Sequence, residues 1–360
     1  MSASRPTDAE PDFGSLDAQM PIQMTEHGTT TETGPEAEQH PPAGPPPLVF
    51  VGGTGRSGTH VVAKMLGRHT FYRNINNEVR FHCNPRGYPD LLAGEVTVDE
   101  FLKKLRKFWW YRVKAGEFAP AVVPKLAMGR EVRGIHKLMP EDRFNAAVDR
   151  FEEAYPDDDE PGSAAAVTAC RDLFYDLFRP LAEEEGKPGL IEMSSDTVLA
   201  GPTLLRIFPE SRFIHTVRDG RDAGSSKVEK RSKREHPTDV ITGIDWWEKR
   251  IRAIDEAAKE LPPDKLLTIS LDDLVFGNRR QTYRSLHEFL GIEREPRVRR
   301  YFKRRMSSDR AHRDRWRGDL SDEGAAEVLR HYEGTLDRLE ADGVHCAPLL
   351  RRVYEDSLDG

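Results

Sequence analysis

Cysteine is scarce in this chain of 360 residues. The three that occur, Cys83, Cys170 and Cys346, are odd in number and far apart, so they make neither a disulfide framework nor a metal-ligand pattern. No metal is expected, and a reducing cytosol is the compartment that fits. Long apolar runs are missing as well. Nowhere do about 18 consecutive apolar residues occur, which leaves no transmembrane helix to expect. The start, MSASRPTDAEPDF, lacks the basic-then-apolar plan of a secretory signal. Nor is there a surplus of positive charge: 54 Lys and Arg stand against 61 Asp and Glu, a formal charge of −7. A protein that coats nucleic acid would show the opposite balance, so nucleic acid is not the expected partner.

The charge is unevenly placed. Residues 1–47 hold eight acids and a single base, Arg5, so the remaining 48–360 are neutral. The same 47 residues contain nine of the 25 prolines and few large apolar groups. Such a stretch does not bury enough to offset the entropy of ordering, and it reads as a disordered acidic tail. Residues 48–360 then form the folded domain. Leu48-Val49-Phe50-Val51 is a short β-rich run closed by Gly52-Gly53, and a glycine-rich turn leads into an amphipathic helix from Thr59 to Arg68. Helical patterns follow over roughly 97–112, 141–155, 163–185, 243–260 and 279–290. Strand patterns fall at Gly189–Met193, Arg212–Val217 and Lys265–Ser270. Strands separated by helices imply an α/β fold, a mainly parallel sheet with helices on both faces. Pro156–Gly162 reads as an acidic surface loop.

Two segments carry chemistry. In the first, Gly52 to His60, a turn between strand and helix aims backbone N–H groups at one point, where the helix dipole also favours an anion. A nucleotide triphosphatase loop needs G-x-x-x-x-G-K-[ST]. After Gly53 and Gly58 this chain has Thr59 and His60 instead, which disfavours ATP and magnesium. In the second, Phe213 to Ser226, Arg218 lies just past a strand end, where open α/β sheets bind ligands, and its planar fork suits a phosphate. Ser226, eight residues on, can donate a hydroxyl to the same group.

Together these segments resemble the sulfotransferases that use 3′-phosphoadenosine 5′-phosphosulfate (PAPS) and release PAP. In that family a [KR]-x-G-T loop binds the 5′-phosphosulfate and an Arg and a Ser eight residues apart bind the 3′-phosphate. Here the loop is Arg56-Ser57-Gly58-Thr59, and the pair is Arg218 and Ser226. The similarity continues through Leu205–Ser226, Ile269–Val275, Phe289-Leu290-Gly291 and Arg315–Leu320. It implies one domain with a central parallel sheet of P-loop type. It also implies cofactor contacts from Gly55, Arg56, Ser57, Gly58, Thr59, His60, Arg218 and Ser226.

Sulfuryl transfer, like phosphoryl transfer, passes through a loose in-line transition state, so positioning and charge on the leaving oxygen dominate. Arg56 is placed for that charge. For the base, the resemblance to tyrosylprotein sulfotransferases, with their catalytic Glu in an E-x-R element, points to Glu78 of Glu78-Val79-Arg80. His82 competes, because an imidazole titrates near neutrality. The chain departs from the family after the third strand: Ile191-Glu192-Met193-Ser194-Ser195 has no lysine, leaving Ser194 or Ser195 to hydrogen-bond there. Leu271-Asp272-Asp273-Leu274 also lacks the family's tyrosine. Arg294–Arg317 carries 11 bases and three acids. Runs of that kind are usually solvated faces, but this one leads into Arg315-Trp316-Arg317-Gly318, which resembles the loop that closes over the nucleotide. Trp316 then packs beneath the loop or over the adenine. Ser321 caps a final helix that ends near Gly343. Trp109-Trp110-Tyr111, Trp246-Trp247 and His215 read as core residues. The acceptor is open among a small molecule, a lipid, a glycan and a tyrosyl group. A small-molecule kinase and a nonenzymatic anion- or nucleic-acid-binding protein are the alternatives.

Overall fold

The computed structural model describes residues 47–113, 132–156, 160–229, 236–308, 313–318 and 320–358. The acidic tail, but for Pro47, and the acidic residues 157–159 of the expected surface loop lie outside them.

The strands are β1 (Leu48–Gly53), β2 (Tyr72–Asn74), β3 (Arg112–Val113), β4 (Val132–Arg133), β5 (Gly189–Glu192), β6 (Arg212–Val217) and β7 (Leu266–Ser270). Five of them form one parallel sheet in the order β2-β5-β1-β6-β7, while β3 and β4 pair as a short antiparallel ribbon. Every residue of β1 and β6 is buried, as a sheet covered on both faces requires. Alternation sorts their side chains: Leu48 and Phe50 join Phe81, Phe174 and Phe208 on one face, and Val49 and Val51 join Val62, Met65 and Leu286 on the other. The expected α/β fold with flanking helices is the one observed.

The helices are α1 (Thr59–Leu66), α2 (Tyr88–Leu92), α3 (Val98–Lys104), α4 (Glu141–Ala154), α5 (Ala164–Glu183), α6 (Gly201–Ile207) and α7 (Gly220–Val228). They continue with α8 (Val240–Lys259), α9 (Leu271–Val275), α10 (Arg279–Leu290), α11 (Pro296–Arg305), α12 (Asp322–Ala341) and α13 (Ala347–Leu358). The helix expected over 97–112 starts at a capping box, in which the Thr97 hydroxyl accepts from Glu100 N and the Glu100 carboxylate accepts from Thr97 N. It changes at Leu105 into one π turn ending at Trp109. Ser321 caps α12 through Gly324 N, but that helix is not the last, since α13 packs after it in a third core with Trp247, Tyr332 and Trp316. Among the described residues no helix is long and apolar enough to cross a membrane.

Candidate functional site

Strand β1 lies at the centre of the sheet, and the turn that leaves its carboxyl end opens where α/β sheets bind ligands. That turn runs from Thr54 to Gly58 with left-handed backbone at Gly55, Arg56 and Gly58 (φ 79°, 64° and 91°). Glycine is required at Gly58 twice over, because a Cβ there would also meet Leu271 at 2.7 Å. A Cβ on Gly53 would come within 2.4 Å of the Ser57 hydroxyl and of the Thr216 carbonyl oxygen. The Ser57 hydroxyl is fully buried and shares a 3.1 Å hydrogen bond with Thr216, whose own hydroxyl donates to the Gly52 carbonyl. Ser57 thus braces the loop against β6 with its side chain. Thr59 is buried in the first turn of α1, and beside it His60 points its Nδ1 at Glu78, 3.8 Å from Oε1.

The second segment meets this loop. Arg56 Nε donates to Ser226 Oγ at 2.9 Å, and Arg218 donates to the Arg56 carbonyl at 3.3 Å. Arg218 also pairs with Asp222, 3.4 Å away, and Arg315 with Glu229 at 3.4 Å. Partial burial, then the neighbouring Arg218 and Arg315, make the Arg56 guanidinium easier to deprotonate than an isolated one. Arg56, Arg218, Ser226 and Arg315 are therefore one constellation, as the sequence implied. Trp316 is buried beneath it, between the guanidinium groups of Arg221 (5.1 Å) and Arg317 (4.8 Å), with Gly318 closing the turn at φ 30°. The Trp316 ring packs in the same cluster as Val217, Trp247 and Tyr332. Arg221 is fixed by Asp219 and donates to the Ser357 hydroxyl at 2.8 Å.

One cation was not anticipated. Lys227 follows Ser226 on α7, its ammonium 4.7 Å above the Trp246 ring. Burial, then Arg250, Arg56 and Arg80, lower its proton affinity, so it lies within electrostatic reach of Arg56. Its sequence signal was only its place next to Ser226.

Beyond β2 the chain turns through Glu78, whose side chain is 12% exposed and accepts from Arg80 Nε at 2.8 Å. Arg80 takes a left-handed φ of 64°, unusual for a side-chain-bearing residue. Its N–H donates to Ser194 Oγ at 3.2 Å, and that hydroxyl donates to Glu192 Oε1 at 2.6 Å. Glu192 Oε2 accepts from Ser194 N at 2.8 Å and pairs with His82 Nε2 at 3.0 Å. Burial alone would raise the Glu192 carboxyl, but His82 and Ser194 more than compensate and hold it below the usual range. His82 is fully buried, with Phe50 and Phe174 ring centroids 5.6 and 5.5 Å from its own. An imidazole so enclosed is a buried partner of Glu192, and Glu78 is the more exposed of the two candidate bases. Ser194 is likewise occupied inside this chain of bonds, and Ser195 bonds Asp196 at 3.4 Å.

The remaining assignments are simpler. Asp272 accepts from Asp219 N at 2.9 Å and Asp273 pairs with Arg352, both structural. His215 is buried in β6, and burial lowers its pKa to about 4. Trp109 and Trp247 are core residues, and Trp110 stacks on Phe144 at 4.3 Å. Residues 114–131, which follow β3, lie outside the described residues.

The family model described as "Sulfotransferase family" matches residues 47–296. Among solved structures, the chain is similar to the sulfotransferase domain of the Synechococcus olefin synthase. The identity is 17%, covering 83% of this chain and 98% of that one, with a TM-score of 0.45. The sulfotransferase domain of the curacin biosynthetic pathway gives 18% identity, 83% and 99% coverage and a TM-score of 0.45. Sulfotransferase STF1 of Mycobacterium tuberculosis gives 12% identity, 81% and 77% coverage and a TM-score of 0.39.

Proposed function

The chain belongs to the sulfotransferase family, and from that premise we propose that it moves the sulfuryl group of PAPS to an acceptor hydroxyl or amine in the cytosol. Residues 48–360 are the catalytic domain in this reading, and residues 1–47 an acidic tail outside the chemistry. PAPS supplies an activated sulfuryl group and a nucleotide leaving group. The loop fits a multiply anionic ligand on its own terms: its backbone is left-handed at three positions, Gly58 leaves no room for a side chain, and Arg56, Arg218, Arg315 and Lys227 gather near it. Asp222 and Glu229 offset part of this positive charge, and an anionic ligand would offset the rest.

In this reading Gly55 to His60 hold the 5′-phosphosulfate, and Arg218 and Ser226 hold the 3′-phosphate. Arg315, Trp316, Arg317 and Gly318 form the turn beside the nucleotide. Arg56 offsets the charge that grows on the leaving oxygen, and Lys227 adds a second positive charge nearby. Glu78 takes the acceptor proton, with Arg80 orienting its carboxylate. The observation that carries the proposal is the meeting of Arg56 with Ser226 and Arg218, 170 and 162 residues apart in sequence, at the carboxyl end of β1. Replacing Glu78 by Gln tests the chemistry. Turnover of radiolabelled PAPS with its best acceptor should fall by about a hundredfold or more, while PAP affinity holds. Unchanged turnover in that variant would remove Glu78 from the mechanism.

A further inference from the structure

The identity of the acceptor is the open question of the proposed reaction, and a second recess bears on it. Between α1, β2 and α11 lies a hollow of about 610 Å³, lined by five cationic side chains (Lys64, Arg68, Arg73, Lys187 and Arg305) and one carboxylate, Glu185. Its size is that of a ligand site, not of a packing defect. Glu185 serves two of the five: it pairs with Arg73 at 2.8 Å and with Lys187 at 3.1 Å. Lys187 also donates to the Gly67 carbonyl at 3.1 Å, which fixes it at the carboxyl end of α1. Lys64, Arg68 and Arg305 have no carboxylate partner among the described residues. Arg68 instead lies over the ring of Tyr301, 5.5 Å from its centroid.

The recess is connected to the candidate base. His60, Lys64 and Arg68 are spaced four residues apart, so they follow one face of α1 and the turn after it. His60 faces Glu78, and Lys64 stands one helical turn further on, about 6 Å along the axis. The chain from β2 runs the opposite way along it, from Arg73 and Asn74 in the recess through Asn76 to Glu78. The basic run of α11 joins from the other side: Val298 and Phe302 are buried, while Arg299, Arg300, Lys303 and Arg304 are exposed and continue the positive surface. Like charges gathered in a hollow repel; Glu185 offsets two of them, and an anion brought into the hollow would offset the others.

We propose that this recess binds an anionic group of the acceptor, a carboxylate or a sulfate ester, while Glu78 deprotonates the acceptor's hydroxyl. This rests on the sulfuryl-transfer reading and deepens it, by making the acceptor an acidic, extended molecule. A concave site with an amide, Asn76, and a ring, Tyr301, suits a small acidic acceptor better than a duplex or a bilayer, which present broad convex or flat faces.

The test uses the full chain and a labelled tetrasaccharide with uronic-acid carboxylates, its carboxyl-reduced counterpart, phosphatidylserine vesicles and single-stranded DNA, with PAP affinity measured beside them. The carboxylated probe should bind about tenfold or more tightly than the reduced one, and the preference should shrink as salt rises. Lys64→Glu combined with Arg68→Glu and Arg305→Glu should remove it and leave PAP affinity within about twofold, and Arg68→Gln with Arg305→Gln should do so in part. Equal binding of the two saccharides, an unaffected charge-reversed variant, or tight binding only to vesicles or DNA would overturn the proposal while PAP binding still stood. A wild-type chain that binds no PAP would overturn the sulfuryl-transfer reading itself, and this inference with it.

Discussion

Two turns face each other across the site, and they are held by different means. The loop from Thr54 to Gly58 is shaped by its backbone: three left-handed residues, two of them glycine, and the Ser57–Thr216 hydrogen bond to the next strand. The turn from Glu78 to Arg80 has no glycine. It is held by side chains from elsewhere, through Ser194 to Glu192 and on to His82. The first device fixes the loop by left-handed backbone that strains any substitution at Gly55 or Gly58. The second holds the Glu78 turn through the buried Glu192, so this turn can be weakened without altering the loop.

The comparison is broken most sharply at Arg56. Arg56→Ala should lower turnover of radiolabelled PAPS by about a hundredfold to a thousandfold, the cost of losing one well-placed group on developing charge. PAP affinity should fall far less, as read by calorimetry. Glu192→Gln probes the other turn. It leaves Ser194 and His82 with a weaker partner in a fully buried place, which should cost about 1–3 kcal/mol in chemical denaturation. Turnover should drop about tenfold without a loss of PAP affinity, and Glu192→Asp should recover part of it. A merely structural role for Glu192 predicts the stability loss with no change in turnover per folded molecule. Gly58→Ala should destabilise by about 1–3 kcal/mol through its left-handed backbone, more if Leu271 does not yield, and should weaken PAP binding.

The smallest effect is one of pH. Burial is the main cause that lifts the Asp222 carboxyl to about 7 and Asp272 to about 6, from an ordinary 3.8; Arg218 opposes both shifts. Asp219 also raises both, and Asp314 adds to the effect on Asp222. The folded state then binds these protons more tightly than the unfolded chain. Their contribution to stability is fully present below the unfolded value and is lost as pH rises through about 6 and 7. Thermal melts should show stability falling from about pH 5 to pH 8, and Asp222→Asn should flatten that slope. An unchanged slope would mean that Asp222 is already ionised across the range.

How much of this was legible in the sequence follows from the same contrast. Strands β1, β5, β6 and β7 announced themselves as short runs rich in apolar residues, as a sheet covered by helices favours. Strand β2, three residues long, is too short for any periodicity to show. The glycine loop was legible because its shape is written in glycines, and the Arg218 to Ser226 spacing survived because both ends sit on one strand-turn-helix unit. His82 sits deeper than its sequence position suggests: neither its burial nor its partner Glu192, 110 residues away in sequence, is reported by any local pattern. Lys227 was missed for a related reason: a lysine on a helix says nothing until its surroundings, Trp246 and the cations near Arg56, are seen. The recess beside α1 is assembled from four separate stretches, each unremarkable alone.

The account stands or falls on what the glycine loop binds. Calorimetric titration of the full chain with PAP, and separately with ATP plus magnesium, asks this without knowledge of the acceptor. The account predicts saturable, metal-independent PAP binding that Arg218→Ala weakens, with no comparable heat from ATP and magnesium. Binding of ATP with magnesium alone, and none of PAP, would contradict it.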